Sequence, residues 1–244
     1  MKIFRSSKLG LKVSSEIFKE NDGIQIDSFD VTKFEEYLNL DYDLIELGEE
    51  EARNLFSFFK VLDVKTQTLG CFDSLIRING VYKPLQLDSL SFIHFLQQSK
   101  VILNATLSAV VVGCPDKLMM YGMDLSKLGL NRIYLVSPEN KNLKGRIEHL
   151  QKTLLGVHIE QVMTDKISDI SDSCGLLIVD FDKAKNSELV QDLTYFNFLA
   201  EKAIFLDIRG YEDFELSSEA EKASLQVLKS EDFIKFKYTF CKKN

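Results

Sequence analysis

The stretch Ala109-Val110-Val111-Val112-Gly113, with the segments that follow it, decides the fold. Three consecutive valines make an apolar run without alternation, the pattern of a strand covered on both faces. Gly113 ends it. Residues 117–128 then carry a helical pattern that stops at Gly129, where a glycine suits the left-handed position after a helix. Arg132-Ile133-Tyr134-Leu135-Val136 reads as the next strand, and residues 143–155 as the next helix. Further strands are expected at 158–162, 176–179 and 203–207. Strands alternating with helices predict a parallel, doubly wound sheet. A Rossmann-like unit of the dinucleotide-binding type is therefore expected over roughly residues 100–220.

Upstream the rhythm differs. Residues 2–4 form a candidate strand, and Ser14 or Ser15 is placed to cap a short helix running to about Glu20, with Gly23 as its stop. Residues 25–31 alternate as a strand, 31–40 read as a helix opened by Thr32, 44–47 as a strand and 50–62 as a helix. Residues 74–78 and 81–86 flank Asn79-Gly80, which predicts a hairpin around a two-residue turn. Asp88 then stands as the cap of a helix through Gln98, and residues 230–240 as a last helix returning to the first half. The expected architecture is two α/β domains: a substrate-binding type over 1–98, a Rossmann-like parallel sheet over 99–225, and a C-terminal helical segment over 226–244.

Composition narrows the function classes. The net charge of −7 is spread along the chain without a basic stripe, so neither nucleic acid nor an anionic membrane surface is an expected partner. The apolar run 101–113 is broken by Asn104, Thr106 and Ser108, too short and polar to span a bilayer. Residues 1–8 have charges but no apolar core, so no signal peptide is expected there. Cys71, Cys114, Cys174 and Cys241 lie far apart and read as free thiols in a reducing cytoplasm. His94, His149 and His158 have no metal-ligand spacing, so no metal site is expected. Nothing in the chain specifies an oligomeric state.

One segment carries a family resemblance. Gly70-Cys71-Phe72-Asp73-Ser74-Leu75-Ile76-Arg77, the Asn79-Gly80 turn, Gln86-Leu87-Asp88, and then Phe92 and Leu96 resemble a stretch of the shikimate dehydrogenases. That family reads Gly-Ala-Val-Asn-Thr, a hairpin, then Asn-Thr-Asp-Gly-x-Gly-Phe and a helix. The interval from Asp73 to Asp88 suits its spacing. Residues 26–31, 110–136 and 204–207 follow the family's elements in order, and the resemblance spans roughly 10–212. It implies two α/β domains, NADP as cofactor, a small-molecule ligand in an interdomain cleft, and interconversion of 3-dehydroshikimate and shikimate. It implies a catalytic role for Asp88, substrate contacts at Ser15 and Asp73, and cofactor contacts at Gly113, Lys117 and Glu139.

The chemistry asks for more than the chain offers at matching positions. Hydride arrival at a ketone creates an alkoxide, which a lysine held by an aspartate stabilises and protonates in that family. A gapless match puts Ala52 at the lysine's place, beside Glu49, Glu50 and Glu51, and no lysine lies between Lys33 and Lys60. Arg53 is cationic but gives up no proton at working pH. Of the family's serine pair only Ser15 matches, and Asp73 replaces a neutral asparagine with a charge that repels an anionic substrate. The phosphate turn reads Gly113-Cys114-Pro115-Asp116-Lys117, in which Pro115 lacks an amide donor and Asp116 brings a negative charge. The next strand ends in Ser137-Pro138-Glu139 instead of the family's Asn-Arg-Thr. Glu139 could bind a ribose hydroxyl, and Lys235 falls near the family's late glutamine. The expectation is a shikimate dehydrogenase-like protein with impaired catalysis. The alternative is a non-catalytic descendant that binds a small molecule or a protein; a third reading has the two domains carry a new ligand in the old cleft, such as a cation drawn to Glu49–Glu51, Asp73 and Asp88.

Overall fold

In a computed structural model the described residues are 1–6, 9, 18, 23–29, 31, 33–139, 141–171, 173–182, 186–208 and 215–243. The chain forms two compact units: Met1–Phe92 with Lys235–Asn244, and Ile93–Ile234.

The first unit holds a mixed sheet. Its strands are β1 (Lys2–Arg5), β2 (Gln25–Asp27), β3 (Leu44–Glu46), β4 (Ser74–Ile78) and β5 (Val81–Leu85), in the order β2-β1-β3-β4-β5. β1 pairs in parallel with β2 and β3, whereas β3-β4 and β4-β5 are antiparallel. The hairpin turns on Asn79 and Gly80, both at positive φ (53° and 79°), as a two-residue connection of right-twisted strands requires. Against the sheet, Phe4, Ile45, Leu55, Phe72 and Leu75 bury a core that includes Ala52.

Several local expectations need correction here. The strand at 25–31 stops at Asp27, and the helix at 31–40 is a 3-10 helix over Phe34–Asn39. The helix at 50–62 is α1 (Glu49–Leu55) followed by a 3-10 turn, Phe56–Phe58. A separate helix, α2 (Val64–Leu69), was not foreseen, although Asp63 caps it by accepting from Thr66 N at 3.0 Å and Gly70 ends it at φ 64°. The helix expected behind Ser14 and Ser15 lies outside the described residues.

The second unit is all parallel in its sheet. β6 (Ser108–Gly113), β7 (Arg132–Val136), β8 (His158–Val162), β9 (Cys174–Asp180), β10 (Leu199–Asp207) and β11 (Gln226–Leu228) run in the order β11-β10-β9-β6-β7-β8. Helices α4 (Pro115–Lys127), α5 (Lys144–Thr153), α6 (Ser187–Thr194) and α7 (Glu215–Lys222) fall between strands. Every residue of β6 and of β9 is buried, which is why these strands read as continuous apolar runs. The order reverses direction between β6 and β9, so the switch point of this Rossmann-type sheet is at Gly113 and Asp180. Two helices cross the unit boundary: α3 (Leu87–Gln98) and α8 (Ser230–Lys243).

Candidate functional site

Among the described residues, the densest group of buried charge is in the first unit. Parallel register sets Arg5, at the end of β1, beside Glu46, at the end of β3, and the guanidinium lies 3.0 Å from a Glu46 oxygen. α8 brings two further side chains to the same carboxylate. The Lys237 ammonium donates to Glu46 Oε1 and, at 2.9 Å, to Asp88 Oδ1. The Tyr238 hydroxyl donates to Glu46 Oε2 and accepts from Arg5 at 3.0 Å. Two cations and two carboxylates are thereby closed on one another, with side-chain exposures of 8% or less except for Asp88 at 15%. Asp88 is the member with most access to solvent.

The fields in this group are strong because the groups are dry. Burial alone pushes the Glu46 carboxyl up, but Lys237 and Arg5 outweigh it and hold the carboxyl below its ordinary 4.5. Burial pulls the Lys237 ammonium down, yet Asp88 and Glu46 raise it well above its ordinary 10.5. Tyr238 is raised by burial and by the neighbouring Glu46. On the same helix, burial pushes the Cys241 thiol up to about 12, so it remains a thiol at neutral pH and no nucleophile.

Asp73 does the capping that the sequence suggests for Asp88. The first helical residue of α3 is Leu87, and the Asp73 carboxylate accepts from Leu87 N at 2.7 Å, Asp88 N at 3.2 Å and Ser74 Oγ at 3.0 Å. Asp88, one residue into the helix, turns its carboxylate to Lys237 instead. Ser15 lies outside the described residues. Ala52 is 2% exposed in the core. Glu51 is buried and accepts from Tyr37 and from Gly48 N, while Glu49 pairs with Arg53 at 3.2 Å. These carboxylates do not converge: among the described residues no group of three or more His, Cys, Asp or Glu could hold a metal ion. Lys237, Glu46, Arg5 and Tyr238 were missed. A signal existed for the lysine: Ser230, Phe233, Ile234, Lys237 and Tyr238 are the buried stripe of α8, and Lys235 is on the exposed side.

At the switch point of the second unit, Cys114 is the N-cap of α4 and Pro115 its first residue. A Cβ on Gly113 would meet the Asp180 carbonyl oxygen at 3.1 Å, so strand packing itself demands this glycine. Asp116, 6% exposed, pairs with Arg146 of α5 at 2.7 Å. Lys117 is half-buried in the next position of the turn. After β7, Ser137 is 1% exposed and its hydroxyl has no hydrogen-bond partner among the described residues. Glu139 pairs with Lys141 at 2.6 Å on the surface. These residues fit a pyrophosphate poorly: the first turn lacks one amide and already holds its own carboxylate.

No protein-family model and no curated protein sequence matches the chain. Solved structures do. The shikimate 5-dehydrogenase of Thermus thermophilus, in complex with NADP(H) and shikimate, superposes with a TM-score of 0.71 at 12% identity, over 99% of this chain and 91% of that one. The Listeria monocytogenes shikimate 5-dehydrogenase, with shikimate and NAD, gives 0.67 at 10% identity, over 98% and 89%. The quinate dehydrogenase of Corynebacterium glutamicum, with NAD, gives 0.68 at 11% identity, over 99% and 98%. The fold is the two-domain shikimate dehydrogenase fold with a Rossmann-like parallel sheet. Among the described residues no helix is long and apolar enough to cross a membrane.

Proposed function

We propose that this chain is a divergent relative of the shikimate dehydrogenases in which NADP-dependent interconversion of 3-dehydroshikimate and shikimate is impaired. One observation carries the reading: the ammonium beside Asp88, that of Lys237, is also held by the buried Glu46. An ammonium has three N–H donors, and two are committed to carboxylates. Its raised affinity for the proton keeps it charged and makes it a poor acid, so it can face an oxyanion but delivers a proton slowly. The turn Gly113–Asp116 supports the same reading, since it favours neither pyrophosphate nor, with Glu139 and without a matching arginine, a 2′-phosphate. A small molecule remains the expected ligand, near Asp88. The unpaired spacing of four cysteines favours a reducing, cytoplasmic setting.

A second reading rests on the 2.9 Å contact itself: Lys237 and Asp88 make a lysine–aspartate pair, supplied from α8, and some carbonyl reduction persists. One assay separates the two. Purified protein is offered shikimate or quinate with NADP or NAD, and nucleotide reduction is followed by absorbance, with nucleotide binding measured by calorimetry. The expected result is no rate above the blank and no saturable nucleotide binding. Turnover that drops about a hundredfold in both Lys237→Met and Asp88→Asn establishes the second reading instead.

A further inference from the structure

We draw no further inference here: the strongest candidate, the exposed apolar surface of Phe58, Val61 and Val64 between the end of α1 and the start of α2 in the first unit, carries nothing because nothing in the structure shows what covers it.

Discussion

Asp88 and Asp116 occupy the same kind of position, each in the first turn of a helix and each facing a cation from a later helix. A carboxylate there is favoured by the helix N-terminus in both cases. They differ in what surrounds the pair. Asp116 has Arg146, a third exposed, as its salt-bridge partner. Asp88 belongs to a group with a second carboxylate, a second cation and a tyrosine, in which Lys237 is shared. The Asp116–Arg146 contact places one of the chain's own carboxylates at the start of α4. On the function proposed above, the larger group immobilises the ammonium that carbonyl chemistry would need free.

The sharpest way to break this contrast is Lys237→Met. It leaves Asp88 and Glu46 with one cation fewer in a dry site, and a loss of about 3–5 kcal/mol in the first unit is expected by urea denaturation followed at residues of that unit. Adding Asp88→Asn to the same chain should restore more than half of the loss, because the orphaned charge is then gone. If Lys237→Met costs nothing, the group is solvated and the clamp does not exist. The pH dependence follows from the same charges. Glu46 is lowered by folding, so its contribution is present above 4.5 and lost as pH falls through the folded value. Lys237 is raised, so its contribution is complete below 10.5 and lost only at higher pH. The group should therefore give a flat stability profile between those limits and an acid-side decline that Lys237→Met shrinks.

Gly113→Ala probes the second region and should cost about 1–3 kcal/mol in thermal unfolding, since the new methyl meets a backbone oxygen that cannot turn aside. A neutral outcome would mean that the β6 and β9 ends yield, and that a ligand could approach there. The smallest effect is expected for Arg146→Ala. Its partner Asp116 keeps the helix N-terminus as a second source of stabilisation, so about 1 kcal/mol is the expected loss of stability in denaturant titration.

Much of the second unit was legible because a strand buried on both faces needs no partner to be recognised: Val110, Val111, Val112 and Leu177, Ile178, Val179 announce themselves. The hairpin was legible because Asn79-Gly80 is chemistry specific to one turn. At 31–40 a helix was legible but not its 3-10 type or its bounds, and the short helix α2 was not legible at all, since six residues leave too few apolar repeats to count. The site divided the same way. Asp88 was singled out from local spacing, but the lysine that pairs with it is 149 residues away, and a gapless match put Ala52, a core residue, at the lysine's place. A lysine standing in the apolar stripe with Phe233 and Tyr238 was the clue that helical periodicity offered.

The first unit is discontinuous in sequence, whereas the second is one unbroken run, Ile93–Ile234. During synthesis the inner unit has all its strands before the last helix has emerged, while Arg5 must wait for Tyr238, 233 positions later. Vectorial folding thus inverts the order of the chain: Arg5, Glu46 and Asp88 are made early, but their group closes only once Lys237 and Tyr238 of α8 are available.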